Sequence, residues 1–169
     1  KNNSKPLAFV GKGVCFDTGG ISLKPAKFME DMTYDMAGSA TVVGLMKNLA
    51  VRKAKVNAVG IVGLVENMPG GNAQRPGDIV KSYSGKTIEI LNTDAEGRMI
   101  LADALSYARK YDPMLVLDFA TLTGSAHAAI GTTASVIMGT AKDAYFEKLA
   151  KSGEGTYERV VRFPFWSEY

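Results

Sequence analysis

Residues 56–64 are almost continuously apolar, reading Val-Asn-Ala-Val-Gly-Ile-Val-Gly-Leu. A run this short and this rich in β-branched residues is closed by an Asn-, Pro- and Gly-rich stretch over residues 66–77. It reads as a strand buried on both faces, the situation of strands in parallel sheets. Parallel neighbours need a crossover, usually a helix, and the sequence supplies strands and helices in alternation. Residues 7–10 read as a strand. Residues 35–51 read as a helix whose Ala37, Gly38, Ser39, Ala40 and Gly44 permit close packing. Residues 87–91 form the next strand. Residues 98–110 form a helix with Leu101, Leu105 and Ala108 on one face, ended by Asp112-Pro113. Strands at 114–119 and 134–138 and a helix at 142–151 follow. This rhythm predicts an α/β fold, a mixed, mostly parallel sheet flanked by helices on both faces. The chain shows no internal repeat and no low-complexity tract.

Two polar stretches stand where such a fold places its sites, at the carboxyl ends of strands. The first is Asn92-Thr93-Asp94-Ala95-Glu96-Gly97-Arg98. In extended backbone, residues two apart point to the same side. Asp94 and Glu96 are therefore expected to present two carboxylates to one point, with Gly97 permitting a turn and Arg98 entering from the helix start. Neighbouring carboxylates repel unless a cation lies between them. A divalent metal suits such a cluster, and two carboxylates can bridge a pair of metals. The second stretch runs from Gly11 through Lys12, Asp17, Gly19-Gly20 and Lys24 to Pro25, followed by Tyr34-Asp35-Met36. It contains neither G-x-x-x-x-G-K-[ST] nor G-x-G-x-x-G, so it is not a phosphate cradle of either kind.

Together these stretches resemble the leucyl aminopeptidase, or cytosol aminopeptidase, family. The N-T-D-A-E-G-R heptad is complete at residues 92–98, G-K-G-x-x-F-D-[ST]-G-G-x-x-x-K-P at 11–25, and D-M-x-G-[SA]-A at 35–40. The likeness extends to Pro76-Gly77-Asp78 and to residues 118–124. The resemblance implies a two-metal peptidase acting on the N-terminal residue of peptides. Lys12, Asp17, Asp35, Asp94 and Glu96 match metal ligands. Asp17 and Glu96 would bridge the two ions, Asp94 would serve the tighter site, and Lys12 and Asp35 the more exchangeable one. Lysine ligates only as a neutral amine. The four carboxylates offset two dications, which would hold a bridging water or hydroxide and the substrate's free amine. Lys24 and Arg98 match the catalytic positions that are not ligands. Lys24 would stabilise the oxyanion, and Arg98 would hold a bicarbonate ion. Met32, Thr121 and Gly124 match the pocket for the first side chain, and Asn92 and Leu122 further substrate-binding positions. On residues alone, Met32 reads as an ordinary core or surface methionine. An apolar, thioether-lined pocket would suit leucine and similar residues. Zn²⁺, Mn²⁺, Co²⁺ and Mg²⁺ all suit the donor set.

Composition restricts the alternatives. With 169 residues, 46% hydrophobic and 22% charged, the chain has the size and make-up of one globular domain. The net charge of +3 is mild, and the basic residues are scattered rather than gathered into a nucleic-acid stripe. No apolar run approaches the ~18 residues of a membrane span. The one cysteine, Cys15, excludes an internal disulfide, suits a reducing, cytoplasmic compartment and is expected to be a small buried residue. The one histidine, His127, cannot build an H-E-x-x-H zinc site and is expected to be structural. Residues 1–169 begin without methionine and match an inner segment of the family's catalytic domain. The N-terminal domain and the end of the catalytic domain are expected to lie outside it, with apolar surface exposed around Trp166.

Three functional readings result. The first is a metalloaminopeptidase taking peptide substrates, a homohexamer by family and without a membrane partner. The second is a DNA-binding architectural role, which would draw on a domain outside this segment and would show as salt-dependent retention on DNA. The third is a folded but inactive fragment.

Overall fold

The computed structural model describes residues 4–168. The chain runs β1 (Leu7–Asp17), α1 (Ala26–Met29), a 3-10 turn (Glu30–Tyr34), α2 (Ala37–Val51) and β2 (Ala58–Asn67). It continues with β3 (Ile79–Lys81), β4 (Thr87–Glu89), a 3-10 turn (Thr93–Ala95), α3 (Glu96–Ala108) and β5 (Leu115–Phe119). Last come α4 (Gly124–Ile130), β6 (Ser135–Ile137), α5 (Asp143–Thr156) and β7 (Val160–Arg162). Two compact units result, one ending at Leu122 and the other beginning at Thr123.

The first unit is built on a parallel sheet of order β2-β1-β5. Its central strand is buried on both faces, and alternation decides what each face meets. Ala8 and Val10 point to one side and pack with Leu101, Ala104 and Ala108 of α3. The opposite side belongs to α2, whose Val42 and Met46 lie against Gly60. Helices therefore cover both faces of a parallel sheet, as the sequence predicts. The small residues at the start of α2 allow the close approach. A Cβ on Gly38 would stand 2.0 Å from the Phe119 carbonyl oxygen, so only glycine lets α2 begin there.

Several predicted boundaries move. β1 does not end at Val10 but continues to Asp17, because β2 runs on beside it and pairs as far as Asn67. The glycine-rich stretch after Val10 is thus largely strand. Near its end the register slips. Val14 pairs with Val65 and Asp17 with Asn67, so β1 spends one residue more than its partner. This bulge turns Cys15 outward, and the thiol is exposed rather than buried. β4 is shorter than the predicted strand at 87–91 and lies outside the main sheet. It forms an antiparallel hairpin with β3, closed by a turn in which Ser82 N–H donates to the Lys86 carbonyl at 2.8 Å. Gly85 takes φ 87° in that turn, and local closure of this kind needs no crossover helix.

The second unit pairs β6 and β7 in parallel. Phe146 of α5 is buried, with the Arg162 guanidinium 4.0 Å from its ring centroid. Its small-residue segment forms α4, capped by Thr123, whose hydroxyl accepts from Ser125 N–H. His127 is exposed on that helix. Phe165 and Trp166 are largely exposed. Among the described residues no helix is long and apolar enough to cross a membrane.

Candidate metal centre

The carboxyl ends of β1 and β2 and the start of α3 meet at one point in the first unit. Lys12 lies on the α3 face of β1. In a regular strand Asp17, five residues on, would point the other way. The extra residue at the bulge restores it to the same side, a known use of bulges near sites. Asp94 and Glu96 arrive differently from the expectation. They are not in extended backbone. Asn92 accepts a hydrogen bond from Asp94 N–H through Oδ1 at 2.9 Å and starts a 3-10 turn, after which Glu96 opens α3. Asn readily makes such a local bond in place of extending a strand. The carboxylates converge through the curvature of that turn. Asp17, Asp94 and Glu96 each offer an oxygen, and all three oxygens lie within 4.8 Å of one another.

Two lysines neutralise part of this charge. Lys12 Nζ is buried. It donates to Asp35 Oδ1 and Oδ2 at 2.7 and 2.8 Å and to the Thr121 carbonyl at 2.8 Å. It also stands 3.0 Å from Glu96 Oε1. Thr121 Oγ1 donates to Asp35 Oδ1 at 2.6 Å. Lys24 Nζ bridges Asp94 Oδ1 at 2.5 Å and Asp17 Oδ2 at 3.0 Å. Four carboxylates against two ammonium groups leave the cluster negative. Glu96 Oε2 is buried and has no hydrogen-bond partner, a costly state for a carboxylate oxygen. Hard oxygen donors, one amine and an unsatisfied buried oxygen fit a divalent cation.

The ionisations reflect these contacts. Burial lifts the Glu96 carboxyl above its ordinary value, and the nearby Lys12 charge only partly offsets it. Burial also works against the Asp17 carboxylate, but the Gly19 amide, the Asn67 amide and Lys24 outweigh it and hold that carboxyl below its usual value. Burial disfavours the Lys24 ammonium, and Asp94 and Asp17 more than compensate, raising it.

The loop from Thr18 to Lys24 is tied tightly. Gly19 has φ 84°, and a Cβ there would lie 2.4 Å from the Ser22 carbonyl oxygen and 2.7 Å from Asp94 Oδ1. Glycine at this position lets the Asp17 loop lie against the Asp94 turn.

The structure therefore brings Lys12, Asp17, Lys24, Asp35, Asp94, Glu96 and Thr121 together. Leu122 has its Cδ1 3.2 Å from where a Cβ on Gly97 would stand, and so borders Lys12. Asn92 uses its side-chain oxygen as a cap. Arg98 is exposed on α3, and Met32 is half-buried in the 3-10 turn before Asp35. Gly124 opens α4 in the other unit. Sequence reasoning missed Asn67, which donates to Asp17 Oδ1 at 2.8 Å. In the sequence it stands within the Asn-, Pro- and Gly-rich stretch of residues 66–77, which reads as a loop. Its position two residues past apolar Val65, at the carboxyl end of a strand beside β1, was the available signal.

The family model described as "Cytosol aminopeptidase family, catalytic domain" matches residues 1–169. The chain belongs to the cytosol aminopeptidase family. It is 62% identical over 166 residues to a protein of Afipia carboxidovorans named "Probable cytosol aminopeptidase", covering 98% of the chain and 33% of that protein. A protein of the same name from Phytoplasma australiense is 61% identical, with 99% and 34% covered. The chain thus spans about a third of the length of the curated relatives it matches. Among solved structures, the crystal structure of cytosol aminopeptidase from Coxiella burnetii superposes with a TM-score of 0.93 at 39% identity. It covers all of this chain and 37% of that one. Leucine aminopeptidase of Caenorhabditis elegans gives 0.93 at 35% identity, with 98% and 34% covered. Membership in the family joins the carboxylate–lysine cluster to a family of peptidases.

Proposed function

We propose that this chain forms the metal-holding part of an aminopeptidase that removes apolar N-terminal residues, leucine and its like, from peptides. The observation that carries the reading is the convergence of Asp17, Asp94 and Glu96 within 4.8 Å beside the buried Lys12–Asp35 pair, with Glu96 Oε2 unpartnered, in a chain of this family. Lys12, Asp17, Asp35, Asp94 and Glu96 would hold two divalent ions, with Zn²⁺ or Mn²⁺ favoured and Co²⁺ or Mg²⁺ also compatible. Such ions supply Lewis acidity, polarising a carbonyl and acidifying water. The chain's own groups do the rest. Lys24, whose ammonium form is strengthened by its two carboxylate partners, donates to the oxygen of the scissile carbonyl as charge develops there. Asp17 and Asp94 hold that ammonium in place. Arg98 offers a planar fork for a small oxyanion such as bicarbonate. Asp35 and the Thr121 carbonyl fix the Lys12 amine. Met32, Asn92, Thr121, Leu122 and Gly124 are the proposed substrate-binding positions. Cytoplasmic location and a homohexameric assembly are proposed for the longer protein by family.

Hydrolysis of leucine p-nitroanilide tests the reading, with added Mn²⁺ or Zn²⁺ and with chelator, in this chain and in a longer protein containing it. Metal-dependent release by both supports it, and release by the longer protein alone supports an intact ligand set in an inactive fragment. Silence in both overturns it. Full rate and full metal content in Glu96→Ala would show the ligand assignment to be wrong.

A further inference from the structure

Asn67 closes β2 and touches both arms of the carboxylate cluster. Its side-chain nitrogen donates to Asp17 Oδ1 at 2.8 Å and to the Thr93 carbonyl at 2.9 Å. Both partners are acceptors only, so the amide can face them only with its NH₂. Its main chain is also held. The Asn67 carbonyl accepts from Thr18 N–H at 2.9 Å and from Thr18 Oγ1 at 2.8 Å.

We propose that Asn67 is a positioning residue of this metal centre, one amide that sets both the orientation of the Asp17 carboxylate and its separation from Asp94. The inference rests on the metal-holding role proposed above. Two features carry it. Asp17 Oδ1 takes hydrogen bonds from Gly19 N–H at 2.9 Å and from Asn67, so the carboxylate cannot rotate freely. Oδ2 is then turned toward the cation-binding side, where Lys24 Nζ stands 3.0 Å away. The Thr93 carbonyl, in turn, belongs to the peptide unit that leads into Asp94. Holding it fixes the plane from which the Asp94 side chain departs. A single NH₂ group therefore spans the gap between two carboxylate-bearing segments 77 residues apart in sequence. Partners that orient metal ligands in this way typically change affinity about 10–100-fold when removed.

Ser82 gives the control for a purely structural effect. It is buried in the turn between β3 and β4, where its hydroxyl lies 2.9 Å from that of Ser84 and donates to the Lys86 carbonyl at 3.0 Å. Ser82→Ala cuts those ties and leaves both Asn67 hydrogen bonds and the Asp17 and Asp94 segments in place. Isothermal titration of metal-free protein with Mn²⁺, run beside thermal unfolding, separates the two roles. Asn67→Ala is expected to bind Mn²⁺ about 10–100-fold more weakly while its metal-free Tm falls by about 2–8 °C. Ser82→Ala is expected to lower Tm by a similar amount and to keep Mn²⁺ affinity within about threefold of the unsubstituted protein. If Asn67→Ala does not fold, Asn67→Ser carries the same test, because its hydroxyl cannot reach both acceptors. Mn²⁺ affinity unchanged in the Asn67 variant, or equally weakened in Ser82→Ala, overturns the positioning role. Absence of Mn²⁺ binding by the unsubstituted protein overturns the metal-holding reading itself.

Discussion

Replacing Gly97 by alanine tests how closely α3 is fitted to the Lys12 amine. A Cβ at this position would stand 2.7 Å from Lys12 Cε, 3.0 Å from Lys12 Cδ and 3.2 Å from Leu122 Cδ1. Carbon atoms prefer about 3.5–4.0 Å, so the lysine stem must retreat by about 1 Å. Its Nζ contacts at 2.7 to 3.0 Å then pass beyond hydrogen-bonding range for one or two partners. Hydrogen bonds to charged groups contribute about 1.5–3 kcal/mol each. The loss is offset by about 0.5–1 kcal/mol because alanine suits a helix better than glycine. The expected net cost in metal-free protein is about 2 kcal/mol, a fall in Tm of about 4–8 °C. If Lys12 is a ligand as proposed, metal affinity should fall at least about 10–100-fold, the range seen when a ligand's orientation is disturbed. Gly44→Ala on α2 is the matched control. A Cβ there meets nothing within 4 Å, so stability should rise by about 0.5–1 kcal/mol with metal binding unchanged. Thermal unfolding and Mn²⁺ titration of the two variants decide the matter. Equal Tm and equal affinity in Gly97→Ala would refute the claim that the helix start is shaped around Lys12.

Asp35→Ala should destabilise metal-free protein by about 3–5 kcal/mol, because it strips a buried ammonium of its bidentate partner; urea unfolding measures it. Glu96→Gln should separate stability from function. The folded-state carboxyl of Glu96 is raised above 4.5, so its ionised form weakens the fold above that raised value, and the penalty disappears below pH ~4.5. The variant should therefore unfold at the same or a higher temperature at pH 7, lose that advantage at pH 4, and bind metal poorly; a lower Tm at pH 7 would contradict the account. Lys24→Ala should keep metal bound by titration while turnover of the longer protein falls about 10²–10³-fold. Loss of metal from that variant would place Lys24 among the ligands instead.

The strands of the main sheet were legible because each is a short apolar run, and the helices because their small and apolar residues recur at helical spacing. The site residues were legible through residue type and motif, and Lys12, Asp17, Lys24, Asp35, Asp94 and Glu96 do meet. What escaped was geometry set by partners distant in sequence. Nothing in residues 11–17 announces a strand until β2 is known to run beside them. The convergence of Asp94 with Glu96 was expected for the wrong reason, because the cap made by Asn92 replaces strand alternation with a tight turn. The hairpin of β3 and β4 depends on a turn around Gly85 that competes locally with the main sheet. Asn67 was invisible as a site residue because a single asparagine followed by Met-Pro-Gly-Gly has the composition of a loop.

The slip between Val14 and Asp17 has a consequence for how this segment tolerates change. Lys12 and Asp17 are separated by an odd number of positions, and only the unpaired step lets both serve one centre. Cys15 and Phe16 together stand opposite Glu66 at that step, and the Cys15 side chain is exposed. Many side chains could stand there without harm, yet removing one residue would rotate Asp17 to the α2 side of the sheet. At this point the chain carries its information as a count.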